Sequence, residues 1–353
     1  MISRIYFITG TTGFLGGEFL QTVLEQDPQA QCYCLIRNQG QLSAAQRIQH
    51  SDRVFAVPGD ITLDNLGLSE DEYQALAEKV THVVHVAAMV KFEKPKEVLE
   101  KINVRGTENV LRFAQQCQNL NPAFQVLGHV GTAYVAGKRK GLVTEKDFSD
   151  AYGFKNNYES TKFAAEALLH AAKATLPIMI FRPSIILGNS AEGRVSRSNV
   201  IFPLVKVAKK DPLGLAPFNK HCLIDFVSVD YVAKGMYFLL QEKAAVGQVF
   251  HLTSGVGNEV TVQKMLHLFN EVYKLNLSTI PTWLWPILRR IFSLTRHGRY
   301  FIKGVEPYWL YTVDNPQFCQ QFTKRMLDKH QFSIDNSKDF LLKTLVFMDH
   351  QFF

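Results

Sequence analysis

The sequence predicts an α/β fold, a doubly wound parallel sheet followed by a smaller, mostly helical C-terminal lobe, and three observations point to it. Short runs rich in Val, Ile and Phe alternate with longer amphipathic stretches through the first half of the chain, the pattern of repeated β-α-β units. A glycine-rich turn, Gly10 to Gly16, joins the first of these runs to the first amphipathic stretch. After Gly188 the rhythm changes, and from Asn258 onward the chain reads as helical and unusually aromatic.

The strand candidates in order are "RIYFITG", "QCYCLIR", "RVFAVPGD", "THVVHVAA", "FQVLGHVG" and "LPIMIFRPS". Between them the spacing predicts helices near Phe14 to Glu25, Glu70 to Lys79, Lys96 to Cys117 and Asn157 to Ala174. "GNSAEGRVSRSN" reads as a polar loop, "VIFPLVKVAKK" as a helix and "DPLGLAPFNK" as a turn region. "DFVSVDYVAKGMYFLLQ" reads as a short strand running into a helix capped by Asp230, and "GQVFHLTSG" as a further strand. The expected division is a Rossmann-type nucleotide-binding domain over 1–190, rejoined by 222–255, and a substrate-binding lobe over 191–221 and 256–353.

Composition narrows the class. With 46% apolar and 20% charged residues the chain is an ordinary globular sequence. No apolar run approaches the ~20 residues that span a bilayer. Glycines and threonines interrupt the N-terminal apolar stretch, so no export signal is read and a cytoplasmic location is expected. Five scattered cysteines have neither metal-ligand spacing nor a paired motif, so neither a metal nor a disulfide framework is expected. Cys32 and Cys34 share one face of a strand and read as core filling.

The turn "FITGTTGFLGG" carries the first chemical signal. Gly10, Gly13 and Gly16 stand between a strand and a helix, where missing side chains let a pyrophosphate approach backbone N–H groups at a positive helix end. Thr12, Phe14 and Leu15 belong to the same expected cofactor contact. Dinucleotide folds selective for NAD carry an acid at the end of the second strand; this one has Arg37. A guanidinium there suits a 2′-phosphate, which favours NADP, although a solvated arginine is the plainer alternative. Asp60, with Ile61 beside it, follows the third strand near an expected adenine. Small Ala87 and Ala88 follow the fourth, where bulk would meet cofactor.

Tyr158 and Lys162 lie four residues apart in "NNYESTK", at the start of a predicted helix. A phenol titrates near ~10, so acid/base work at neutral pH needs a neighbouring cation; a lysine one turn away, ~6 Å along the same face, supplies one. Thr132 follows the fifth strand at the edge of the sheet where open α/β folds bind ligands, and could donate to a carbonyl oxygen gaining charge. A purely structural threonine is the competing reading.

Together "TGTTGFLG", "HVAA", "NVRGTENVL", "GTAYVAG", "YESTK" and "FRPSIILG" make the chain, over roughly residues 4 to 255, resemble an extended short-chain dehydrogenase/reductase. The resemblance implies Tyr158 as general acid/base, Lys162 as its electrostatic partner and as a holder of the nicotinamide ribose, and Thr132 as the hydroxyl that positions the reacting oxygen. It sets Pro183 and Ser184 beside the nicotinamide. It also suggests that Asn103 braces the lysine, with a structural role equally open.

More narrowly, "HVAAMVKFEKPKEVLEKINVRGTENVLRFAQQC", "GTAYVAG" and "LPIMIFRPSIILG" look like the branch of fatty acyl-CoA reductases and terminal thioester reductase domains, as do "FSIDNSKDF" and the aromatic helices before it. The implied function is NADPH-dependent reduction of a fatty acyl thioester, on CoA or an acyl-carrier protein, to aldehyde or alcohol. The chain departs from this branch at Gly131, where serine is usual, and in lacking a proline and tryptophan motif after "IILG". The alternatives are a ketone or alcohol oxidoreductase of 3-oxoacyl or steroid type and a sugar-nucleotide epimerase; a cofactor sensor without turnover is disfavoured because Thr132, Tyr158 and Lys162 are all present.

The net charge of +7 is concentrated. From Val272 to Val305 there is no Asp or Glu, yet Lys274, Arg289, Arg290, Arg296, Arg299 and Lys303 are present among aromatic and aliphatic residues. Three readings compete for 280–303: peripheral contact with a membrane, a basic and apolar wall of the substrate tunnel, or ordinary packing. Nucleic acid is not expected, because the charge is confined to one apolar segment. An oligomer is compatible with the sequence.

Overall fold

The structure, a computed structural model, describes residues 4–40, 42–48, 51–197, 199–210, 214–330, 332 and 339–353. Most of "FSIDNSKDF", residues 333–338, lies outside the described residues, as do residue 198 of the predicted loop and 211–213 of the predicted turn.

Seven strands form one sheet: β1 (Ile5–Thr9), β2 (Gln31–Ile36), β3 (Val54–Pro58), β4 (His82–His85), β5 (Val126–Val130), β6 (Ile178–Pro183) and β7 (Val249–Leu252). Their spatial order is β7-β6-β5-β4-β1-β2-β3 and every pairing is parallel. The order reverses direction beside β1, so the crevice at its carboxyl end is the natural ligand site of the fold.

Side chains alternate across the strands and feed two cores. Tyr6, Ile8, Cys32 and Cys34 point to one face, where α1 (Phe14–Gln26) places Phe19 and Val23. Phe7, Val83 and Leu127 point to the other, against Phe113 of the helix over Gly106–Leu120. Each Ile, Val, Leu and Phe among them contributes about 1.5–3 kcal/mol when fully buried. On that second face lie α2 (Glu70–Ala77), started by a Ser69–Glu72 capping box, and the stretch from Lys96 to Leu120. Predicted as one helix, that stretch is α3 (Lys96–Leu99) and α4 (Gly106–Leu120) joined by a π-helical turn over Glu100–Arg105. The predicted fourth helix is α5 (Asn157–Ala172).

Beyond the sheet, α6 (Ile201–Ala208), α8 (Val262–Tyr273), α9 (Trp285–Phe292), α10 (Arg296–Trp309) and α12 (Asp339–Phe352) share a third apolar core around Val205, Phe269, Trp285 and Leu345. α7 (Val229–Leu240) returns to cover the sheet against α1, and α11 (Gln321–Leu327) packs beside β7. One expectation fails here. The cap position of α7 is held by Ser228, and Asp230 is already inside the first turn. Its carboxylate instead accepts from the Ser190 backbone N–H at 2.9 Å and the Ser190 hydroxyl at 2.6 Å, pinning the loop that follows Gly188.

Candidate active site

The glycine turn is a cradle because its backbone has no room for side chains. Gly10 has a φ of +82°, and a Cβ there would sit 2.6 Å from the Ala87 nitrogen. A Cβ on Gly16 would lie 2.1 Å from the Gly10 oxygen. Gly13 stands at the cap position of α1, with no side-chain cap and no acid in the first turn, so the donors at the helix start remain open to an anion. The Thr9 hydroxyl ties the turn to the next strand end, 2.7 Å from His85 Nδ1 and accepting from Ala87 N–H at 3.2 Å. This geometry fits a dinucleotide pyrophosphate.

A cavity of about 570 Å³ opens from this cradle. Gly10, Thr12, Gly13, Phe14, Leu15, Gly16, Arg37, Ile61, Ala87, Ala88, Thr132, Tyr158, Lys162, Pro183 and Ser184 all border it. Asp60 borders a second hollow at the outer end of β2 and β3, with Arg37 shared between the two. Arg37 Nη1 is 3.9 Å from Asp60 Oδ2. Sequence reasoning missed Arg47, which also borders both hollows and donates to the Arg37 carbonyl.

Local chemistry sets the surroundings of Tyr158, Lys162 and Thr132. The Asn156 side chain caps α5 by accepting from Glu159 N–H at 3.0 Å, so Tyr158 lies in the first turn and Lys162 one turn deeper. Thr132 follows β5, its hydroxyl donating to the Pro183 oxygen at 3.4 Å and accepting from Tyr134 N–H at 3.3 Å, and it borders the same cavity as Tyr158. Burial pushes the Tyr158 phenol well above its usual value, the Glu159 charge adds to the rise, and the Thr132 contact opposes it. The Lys162 ammonium donates to the Val130 oxygen at 2.7 Å and lies 3.4 Å from His129 Nε2. Burial lowers Lys162 to about 8, against the raising influence of Glu166. The lysine thus spends its bonds on the end of β5, and burial keeps the phenol high.

Asn103 sits in the π-helical turn and is buried. Its oxygen accepts from Met89 N–H at 2.8 Å, and its amide donates to Thr161 Oγ1 at 3.1 Å. Thr161 is the neighbour of Lys162, so the asparagine ties the strand-end loop to the helix carrying Tyr158 and Lys162. Gly131 also has a steric account. A Cβ there would come within 3.2 Å of Glu166 Oε2, and Glu166 is locked in a buried ion pair with Arg182.

The profile of the male sterility protein family matches residues 8–236, well over half of the chain. The chain belongs to that family. It is an oxidoreductase of the extended short-chain dehydrogenase/reductase type, with a dinucleotide-binding fold of the NAD(P) class. Probable fatty acyl-CoA reductase 5 of Arabidopsis thaliana is 25% identical over 355 residues, covering 77% of this chain and 69% of that protein. Nonribosomal peptide synthetase asaC of Aspergillus flavus is 27% identical over 297 residues, covering 79% of this chain and 29% of the synthetase. The chain therefore spans less than a third of that synthetase. Among solved structures, the terminal R domain from the myxalamid PKS-NRPS pathway superimposes with a TM-score of 0.84 at 25% identity, covering 98% of this chain and 90% of that one.

Part of the site of this family member comes from places the sequence does not link. Ile201 and Leu204 of α6, Met265 of α8 and Tyr308 of α10 border the same cavity and give it an apolar arm. Tyr311, just after α10, also borders it; its hydroxyl donates to Glu159 Oε1 at 2.5 Å and accepts from Asn156 Nδ2 at 2.8 Å. The C-terminal helices are thereby fastened to the residues flanking Tyr158. No helix among the described residues is long and apolar enough to cross a membrane.

Proposed function

We propose that the chain is an NADPH-dependent reductase of fatty acyl thioesters, borne on CoA or a carrier protein, giving an aldehyde or, after a second round, an alcohol. The observation that carries this reading is the single cavity running from the glycine cradle past Thr132, Tyr158 and Lys162 into an arm lined by Ile201, Leu204 and Met265. An acyl chain suits that arm; a sugar nucleotide, dense in hydroxyls, would leave its polar groups unpaired there. Relatives named as a fatty acyl-CoA reductase and as the R domain of a synthetase support the thioester over a ketone. Residues 1–190 and 222–255 would hold the dinucleotide, and 191–221 with 256–353 the acyl group.

When bound, NADPH supplies the hydride that adds to the thioester carbonyl carbon. Thr132 and Tyr158 donate hydrogen bonds to the carbonyl oxygen as it becomes an oxyanion. A phenol held above its ordinary value remains a proton donor at neutral pH, which is the role reduction requires. The oxyanion then re-forms C=O and breaks the C–S bond, and the departing thiolate takes the Tyr158 proton. The Lys162 ammonium steadies the phenolate left behind. Because Lys162 loses its charge near pH 8, kcat/KM is expected to fall as pH rises through that value.

Arg37 and Arg47 support NADPH over NADH, since two guanidiniums border the hollow where β2 ends without an acid. Arg37→Ala and Arg47→Ala are expected to raise KM for NADPH and leave that for NADH unchanged. The substrate reading is tested by NADPH absorbance against long-chain acyl-CoA, a 3-oxoacyl thioester and a steroid ketone. Consumption with the ketones alone rejects the thioester reading.

A further inference from the structure

Helix α9 is apolar on two opposite sides. Trp285, Leu288 and Phe292 face inward, with Trp285 buried and stacked on Trp309 at 6.3 Å. The other side is left without cover. Ile287 and Ile291 are 52% and 53% exposed, and the residues flanking the helix on the same side, Trp283 and Leu294, are 69% and 79% exposed. At 100° per residue these four fall within about one quarter of the helix circumference. A contiguous row of large apolar side chains in water marks a contact surface.

The charges around this ridge are all positive. Arg290 lies beside Ile287 and Ile291 on the helix wheel, Arg296 follows two residues after Leu294, and Arg299 reaches back to donate to the Ser293 oxygen at 3.0 Å. Among the described residues Arg290 and Arg296 make no ion pair, whereas Arg289 points away and pairs with Glu306 at 2.8 Å. No acid occurs between Val272 and Val305 to offset them. A second copy of the chain laid on this face in a twofold contact would oppose arginine to arginine. The complementary partner is anionic and presents an apolar phase beneath its charge, and an anionic phospholipid surface has both properties.

We infer that the ridge of Trp283, Ile287, Ile291 and Leu294 inserts into the interface of an anionic bilayer while Arg290, Arg296 and Arg299 meet its phosphates. The helix would lie in the membrane plane. α10 begins at the ridge and ends at Tyr308 and Trp309, and Tyr308 borders the cavity, so the bilayer would lie roughly 20 Å from the site at ~1.5 Å per residue. The inference stands on the ridge and its charges and does not depend on the thioester reading.

The test is sedimentation of the full chain with vesicles of phosphatidylcholine, with and without phosphatidylglycerol. The wild type is expected to sediment with the anionic vesicles and to be released by salt. Arg290→Ala with Arg296→Ala, and separately Ile287→Ser with Ile291→Ser and Leu294→Ser, should each lower partitioning about tenfold or more, since each basic residue near such a surface is worth about fivefold. Their thermal unfolding should match the wild type, because these side chains are exposed. Trp283 emission, taken as the difference from Trp283→Phe, should shift to the blue and be quenched by brominated lipid. Absence of sedimentation, equal sedimentation of wild type and both variants, or an unshifted Trp283 overturns the inference. So does binding of a purified acidic carrier protein through this ridge without any binding to vesicles.

Discussion

Helices α5 and α9 treat charge in opposite ways. In α5, Glu159, Lys162 and Glu166 are all buried, and each is held by named partners: Tyr311 and the Lys155 N–H for the first, Val130 and His129 for the second, Arg182 and His170 for the third. In α9 the arginines are exposed, and among the described residues Arg289 has an ion-pair partner while Arg290 has none. A buried charge must have its bonds satisfied inside the protein, which fixes its position to within a hydrogen bond. An exposed charge is satisfied by water and remains available to whatever arrives. The first arrangement suits proton transfer, the second suits docking.

Four substitutions sharpen that contrast. Arg182→Ala should have the largest effect, because it strands the Glu166 carboxylate in the core beside His170 alone. A loss of about 3–5 kcal/mol is expected in urea unfolding. Next comes Asp225→Asn, with the opposite sign. Burial raises Asp225 to about 6, against the lowering hydrogen bond that Oδ1 accepts from the Ser254 backbone N–H at 2.8 Å. Its carboxyl ionises in the unfolded chain near ~3.9, so above about pH 6 the folded state bears the full cost of the buried charge, and below about pH 4 it bears none. The variant should gain up to about 3 kcal/mol at pH 7 and nothing at pH 4, read as unfolding free energy at both values.

Tyr311→Phe removes the donor to Glu159 and the acceptor for Asn156 together. About 2 kcal/mol of stability should be lost, as expected for a hydrogen bond to a charged group. NADPH turnover should fall with it, because the start of α5 carries Tyr158. Arg289→Ala marks the other end of the scale. Its pair with Glu306 is about half exposed on both sides, so calorimetry should find a change below about 1 kcal/mol and assays no change in turnover.

The sheet was legible in the sequence because its signals are local. The strands of the sheet and three of the four predicted helices appear within a few residues of their expected bounds, and the helix expected over Lys96 to Cys117 is broken by its π-helical turn. The glycine turn and the Tyr158–Lys162 spacing were legible for the same reason, since one strand end and one helical turn fix them. Arg47 was not, because its approach to Arg37 depends on how the segment between them folds back. Tyr311, Met265 and Ile201 reach the cavity from more than forty residues beyond Tyr158, through packing that no periodicity encodes. Asp230 was misread because an acid at a helix start resembles a cap, and its partner Ser190 lies forty residues away. His85 and His129, for which the strand pattern gives no role, are both buried, and His129 lies 3.4 Å from Lys162.

In the proposed reaction the bond broken is a thioester C–S bond. Its most direct measurement is the count of free thiol released for each NADPH oxidised with long-chain acyl-CoA, in the wild type and in Tyr158→Phe. The account predicts one thiol per NADPH if the product is aldehyde, one per two if it is alcohol, and turnover reduced by about a hundredfold or more in the variant. NADPH oxidation without thiol release, or a Tyr158→Phe enzyme as fast as the wild type, would contradict it.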